Sequence, residues 1–257
     1  MKNIACNLIY NNGGEGDFVG FNGRCTEDII IYNIKKGSGR WCNNQRCSCK
    51  QYFDNGFKSG YKPFPCNESV LFKNWEFSAG ENFEDNIKVP MRQVGIGKIA
   101  ILTTAFARTR EEERKIVGFF KIDNVSDDLN LVAASKIYRL RLSLEDAKEL
   151  NFWNYYINDK NSKPVWNQRR FRYLEDDQTA CILHDLYDVV RNDDDQSMIK
   201  NLLQTDFKKY SAERPIIKSA LSENVEKKAL LKRKYGPGGE SENHKNPYLD
   251  KANRIDE

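Results

Sequence analysis

Two apolar stretches in the middle of the chain decide the fold: KIAILTTAF at 98–106 and KIVGFFKI at 115–122. Both are rich in β-branched and aromatic residues and are bounded by turn residues, which predicts two β-strands. A third stretch, KIYRLRLS at 136–143, places Arg139 and Arg141 on one face of a strand and apolar or aromatic side chains on the other. These three segments predict a β-sheet as the centre of the protein.

Helical patterns lie on both sides of these strands. Ser143, with Asp146 three residues on, is typical of a helix N-cap and predicts a short helix after the third strand. Apolar residues at helical spacing predict two longer helices, at about 175–191 and 195–210. The apolar run DIIIYNI at 28–34 is typical of a buried strand or a short helix, whereas the rest of 1–30 has the Gly and Asn content of a loop. The fold class is therefore predicted to be α+β.

Composition narrows the class of protein. The 257 residues are 39 % hydrophobic and 12 % aromatic, which is enough to form a core. Basic and acidic residues number 41 and 37, so any affinity for nucleic acid must come from a local patch rather than from the net charge of +4. No apolar run approaches the roughly 20 residues that span a bilayer. The N-terminus lacks the apolar region of a signal peptide, so a cytoplasmic location without membrane contact is expected.

The chain is expected to divide near residue 210. Residues 1–210 form the main domain and contain a Cys-rich insert at 35–68, which is rich in glycine and turn residues. Residues 211–257 are expected to be a charged linker helix followed by a disordered tail.

Four cysteines in the insert follow the spacing Cys42-x4-Cys47-x-Cys49-x16-Cys66. Four thiolates close together in a segment with few core residues suit a structural zinc ion, which would stabilise what the apolar residues cannot. Plain thiols and an iron–sulfur cluster are the alternatives. Cys25 is a spare candidate ligand. Four Cys ligands would leave no open position on zinc, so the metal would not be catalytic.

Aromatic and basic residues alternate in the second half of the chain, where the sequence near 166–173 reads WNQRRFRY. Guanidinium groups bind phosphates or base edges and aromatic rings stack on exposed bases, so this pattern favours nucleic-acid binding. The alternative is that the tryptophans belong to the core and the arginines to a solvated strand face. The candidate contact residues are Trp41, Trp75, Arg139, Arg141, Trp153, Trp166, Arg169, Arg170, Arg172 and Tyr173.

The strand pair 97–104 and 116–122, followed by the strand-to-helix junction FRYLE at 171–175, resembles PUA-like β-barrels of the EVE and ASCH type. The resemblance spans about 90–190. It implies a barrel that binds nucleic acid and accepts an everted, modified base in an aromatic pocket. The candidate walls of that pocket are Trp41, Trp75, Trp153 and Trp166.

The tail GGESENHK at 238–245 resembles the opening of a PD-(D/E)XK nuclease module, which follows readers of modified DNA in some restriction enzymes. Here Asn246-Pro247 disfavours continuation of a helix, and ten residues remain after Pro247. No catalytic core fits in that length, so no catalytic residue is assigned. Any nuclease that acts with this protein is expected to be a separate subunit.

These observations lead to one expectation: a PUA-like β-barrel with a zinc-stabilised insert and two C-terminal packing helices. The expected function is recognition of nucleic acid, with DNA favoured over RNA, in a restriction or defence system. The alternatives are a nuclease subunit with an unrecognised active site, an RNA-binding PUA-like protein and a zinc-stabilised protein-interaction domain. Nucleic-acid binding requires a basic face with aromatic rings, whereas protein interaction requires a flat apolar patch.

Overall fold

A six-stranded sheet forms the centre of the computed structural model, which describes residues 1–12, 23–35, 41–82, 85–156, 165–166 and 170–216. All of these residues belong to one compact unit. The strands are β1 (Asn3–Leu8), β2 (Glu76–Ser78), β3 (Ile99–Thr104), β4 (Lys115–Val125), β5 (Leu131–Arg141) and β6 (Phe171–Leu174). The strands predicted at 98–106 and 115–122 are confirmed as β3 and β4, and β5 begins five residues before the predicted 136.

The strand order is β2-β5-β4-β3-β1-β6. Strands β1 and β3 are parallel, and the other four neighbouring pairs in the described residues are antiparallel, so the sheet is mixed. Register shifts in β3–β4 and β4–β5 pairing mark β-bulges, which bend strands and increase twist. The sheet curls into a half-barrel, but its edge strands β2 and β6 do not pair within the described part of the chain. The α+β class is confirmed, and the PUA-like β-barrel stays a prediction.

Strand β1 lies in the interior of this sheet, although its sequence, NIACNL, was expected to belong to a loop. Its residues Ile4 and Cys6 are fully buried, and β1 pairs with β3 on one side and β6 on the other. Asn3 is buried too, because its side chain donates to Asp176 Oδ1 at 2.8 Å and accepts from Ile99 N at 2.9 Å. A strand buried on both faces does not show the alternation that marks a half-buried strand.

Six helices accompany the sheet in the described residues: α1 (Glu27–Lys35), α2 (Ser48–Asp54), α3 (Leu71–Asn74), α4 (Leu144–Glu149), α5 (Asp176–Val189) and α6 (Asp193–Asp206). The run at 28–34 is therefore helical. The predicted cap of α4 is confirmed, since Ser143 Oγ accepts from Asp146 N at 3.1 Å. The two predicted C-terminal helices are α5 and α6, and α6 packs on β5 through the hydrogen bond of Tyr138 to Asn201 at 2.8 Å.

Helices α1 and α2 have a small hydrophobic core of their own, separate from the main one. Its buried members are Ile30, Cys49 and Tyr52. Three buried side chains supply little burial free energy, at about 1.5–3 kcal/mol for each fully buried apolar group. The pair of helices α1 and α2 therefore needs other contacts to hold its shape.

No helix in the described residues is long and apolar enough to cross a membrane. Of the predicted linker and tail at 211–257, only 211–216 are described. The segment that resembles the start of a nuclease module lies outside the described residues.

Candidate functional site

A cavity of about 290 Å³ lies where β1 ends and β6 begins. Its wall contains the four cysteines predicted as metal ligands together with the spare candidate: Cys25, Cys42, Cys47, Cys49 and Cys66. The other two cysteines, Cys6 and Cys181, are buried in the main core and are not part of this wall. The fold therefore gathers five thiols that are spread over 42 positions of sequence (25 to 66).

Separate segments position these thiols. Cys25 lies two residues before α1, and Cys42 lies in the turn that follows residues 36–40. Cys47 and Cys49 lie at the start of α2. Cys66 begins the turn before α3, where its carbonyl accepts from Ser69 N at 2.9 Å. A ligand bound by these sulfurs would tie all four segments together.

Cys47 and Cys49 lie close enough to affect each other's titration. Interaction with the Cys49 side chain lowers the pKa of Cys47, although burial acts against this, and the same interaction raises the pKa of Cys49. Burial, followed by the charge of the neighbouring Cys66, raises the pKa of Cys25 to about 12. Burial also raises the pKa of Cys42. Cys25, Cys42 and Cys49 therefore favour the neutral thiol unless a cation shares the cavity, whereas Cys47 is shifted towards the thiolate.

Arg170 borders the same cavity and forms an ion pair with Glu68. Both side chains are largely buried, with 16 % and 11 % of their surface exposed. Glu68 also accepts from Ile9 N at 2.6 Å, so its carboxylate is fixed to the end of β1. Burial lowers the pKa of Arg170 to about 10, which still leaves it charged at neutral pH. The backbone at Gly80 has a φ of +77°, and a Cβ atom added there would lie 3.1 Å from Arg170 Cδ and 3.3 Å from the ring of Trp41. Gly80 therefore packs closely against both side chains.

Within the described residues, no three Cys, His, Asp or Glu side chains are placed so that they would hold one metal ion. The five sulfurs instead lie around the wall of the cavity. The structural zinc ion on Cys42, Cys47, Cys49 and Cys66 stays a prediction.

Two of the tryptophans predicted as contacts for bases, Trp153 and Trp166, lie with Tyr156 around an arginine of the protein itself. The Arg172 guanidinium lies 5.6 Å from the ring centre of Trp153, 4.8 Å from that of Tyr156 and 5.3 Å from that of Trp166. It also donates to the Val165 carbonyl. The three rings therefore act as cation–π partners of Arg172.

A second arginine, Arg114, extends this cluster inwards. It is 1 % exposed, lies 4.7 Å from the ring centre of Trp166, and binds both carboxylate oxygens of Glu111, at 2.6 and 2.9 Å. The indole N–H of Trp153 donates to the Glu111 carbonyl at 2.7 Å. This geometry matches the alternative that the sequence left open, in which these tryptophans are packing residues.

The remaining predicted contact residues lie elsewhere. Arg139 lies 5.1 Å from the ring centre of Trp75, and Arg141 lies 5.7 Å from that of Phe72, so both arginines share one face of β5 as the alternation predicts. The Tyr173 hydroxyl accepts from Gln93 N at 3.1 Å. Arg169 lies outside the described residues. The structure thus places the predicted contacts in three groups: Trp41 with Arg170, Trp153 with Trp166 and Arg172, and Trp75 with Arg139 and Arg141.

The structure reveals a basic and aromatic loop at 58–64, KSGYKPF, that the sequence analysis did not select. Tyr61 is 50 % exposed and Phe64 is 83 % exposed, and they alternate with the exposed Lys58 and Lys62. No acidic residue occurs between 55 and 66. The residue types were visible in the sequence, but the exposure of the two rings was not.

Comparisons with protein-family models, curated proteins and solved structures give no match for this chain. The resemblances to PUA-like barrels and to PD-(D/E)XK nucleases therefore stay predictions.

Proposed function

We propose that this protein binds nucleic acid and that the loop at 58–64 makes the contact. The observation that carries the proposal is the exposure of two aromatic rings that alternate with two exposed lysines. Aromatic rings stack on unpaired bases and lysines bind the phosphates between them, which is the common arrangement of proteins that bind single strands.

The loop is also built to hold its rings outward. Pro63 is buried and fixes its own φ, so it anchors the chain between Lys62 and Phe64. A 3₁₀ turn at Ser59–Tyr61 shapes the first half, where Tyr61 N donates to the Lys58 carbonyl at 2.9 Å. A backbone fixed in this way loses little conformational entropy on binding.

The loop carries charge of one sign. Some exposed basic residues elsewhere pair with carboxylates, such as Lys88 with Asp128 at 2.7 Å and Arg46 with Glu81 at 3.7 Å. The loop has no carboxylate of its own. A polyanion is therefore a better match for it than an acid-bearing protein surface with charges of both signs.

We expect Tyr61→Ala and Phe64→Ala each to weaken binding of single-stranded oligonucleotides by about 1–3 kcal/mol, because each removes a stacking platform. The dependence of affinity on salt should not change. Lys58→Ala and Lys62→Ala should weaken binding of all sequences alike and reduce the slope of log K against log salt by about one unit each. Fluorescence anisotropy across a salt series measures both quantities.

Two exposed residues far from the loop in sequence serve as matched controls. Ile87→Ala removes an exposed apolar side chain and Lys200→Ala an exposed lysine, and neither should change the affinity. The same affinity measurement is made with DNA and with RNA of one sequence, each as a single strand and as a duplex, and each with and without one modified base. The comparison shows which polymer is preferred. Binding that is independent of salt, or loop variants that bind like the unmodified chain, would contradict the proposal.

A further inference from the structure

We propose that the cysteine-lined cavity holds an iron–sulfur cluster, bound by Cys25, Cys42, Cys47 and Cys66. The proposal is independent of nucleic-acid binding, because it rests on the cavity alone. Four thiolates are the usual ligand set of such clusters, and the cavity wall offers five.

The size of the cavity favours a cluster over a single ion. Zinc binds sulfur at about 2.3 Å, which draws four sulfurs into contact around one point and leaves no space between them. Here the sulfurs border about 290 Å³, far more than the ~15 Å³ that one water needs. A cluster has a body of iron and sulfide ions that keeps its thiolate ligands apart and fills such a space.

Burial selects the four ligands. Cys47 and Cys49 lie two residues apart at the start of α2, and both border the cavity. Cys49 is 9 % exposed and belongs to the small core with Ile30 and Tyr52, whereas Cys47 is less buried and packs against that core from outside. We therefore assign Cys47 as the ligand and Cys49 as a residue of the small core.

The charged side chains of the wall balance one another. Each cysteine binds iron as a thiolate and releases its proton to solvent. The wall carries two arginines, Arg46 and Arg170, and two glutamates, Glu68 and Glu81, and Arg170 is paired with Glu68. The cluster would also join α1, α2 and the turn before α3, which share only a three-residue core.

The test uses the full chain, purified without oxygen and reconstituted with ferric iron, inorganic sulfide and a thiol, which reduces the part of the iron that a cluster holds as ferrous ion. We expect iron and acid-labile sulfide in equal amounts, about two or four of each per chain, together with a broad absorption band in the visible region. One zinc per chain without iron would overturn the proposal in favour of a structural zinc site. A folded chain that retains no metal after the same treatment would also overturn it.

Single variants test the ligand set. Cys42→Ser and Cys47→Ser should lose most of the bound iron, whereas Cys49→Ala and Cys6→Ala should keep at least three quarters of it. Cys6 is the matched control because it is fully buried but does not line the cavity. Circular dichroism on the same samples separates ligand loss from unfolding, and Cys66→Ser, at an exposed position, provides a third ligand variant. Equal iron in the Cys47 and Cys42 variants and in the unmodified chain would overturn the assignment.

Discussion

Arg114→Ala is expected to lower the free energy of unfolding by about 3–5 kcal/mol, because it leaves the Glu111 carboxylate without its partner. Arg114 is buried, and its guanidinium binds both oxygens of Glu111 and also Thr103, with Nη1 3.3 Å from the carbonyl and from the hydroxyl. It also stacks on Trp166. One substitution therefore removes contacts to the end of β3, to the turn at 111–113 and to the aromatic cluster. Urea unfolding followed by circular dichroism measures the change.

Arg110→Ala is the matched control, four residues earlier in the same turn. The Arg110 side chain is 80 % exposed and its nitrogen lies 3.6 Å from Glu113, so its loss should cost no more than about 1 kcal/mol. Equal effects of the two substitutions would show that Arg114 is solvated rather than buried in solution.

Gly118→Ala is expected to destabilise the protein by about 3 kcal/mol, at the upper end of the usual cost of overpacking. A Cβ atom at this position would lie 2.3 Å from the carbonyl oxygen of Leu140 and 3.1 Å from Cε1 of Phe72. The Leu140 carbonyl belongs to the paired strand β5, so it cannot move away without disturbing the ladder between β4 and β5. The substitution should lower Tm markedly.

Gly60→Ala provides the comparison, since a Cβ at Gly60 meets no atom within 4 Å. That variant should melt within about 2 °C of the unmodified chain, the shift expected for ~0.5 kcal/mol in a domain of this size. A Gly118 variant that melts with the Gly60 variant would mean that β5 is not held against β4 as described.

Local patterns were sufficient for part of the fold. Strands β3 and β4 and helices α5 and α6 were predicted because their apolar residues show clear spacing or β-branched runs over six or more positions. Strand β1 was not predicted, because six residues without alternation resemble a loop and because its neighbours are distant in sequence, with Ile4 opposite Ala100 and Tyr173. The strand order was not predicted for the same reason, since it depends on pairing that no local signal encodes.

The candidate site was predictable in its residue types but not in its arrangement. Cysteine spacing indicated a ligand set, yet the convergence of Cys25 with the others depends on how α1 packs against α2. The arginines that follow Trp166 in the sequence favoured a solvent-facing surface that binds nucleic acid. The sequence could not show that Arg172 lies among three aromatic rings or that Arg170 pairs with Glu68, because both contacts are made between distant segments.

The interior position of β1 has a consequence for how the protein is made. Its six residues are translated before both of their partner strands, and the later partner, β6, ends at Leu174. At about 5–20 residues per second, translation from residue 8 to residue 174 takes roughly 8–33 s. Throughout that interval the edge of NIACNL that pairs with β6 lacks its partner, because those residues have not yet been synthesised. Completion of the sheet must therefore wait for residue 174, and folding in dilute solution should be slow for a chain of this length because its central pairings join distant residues.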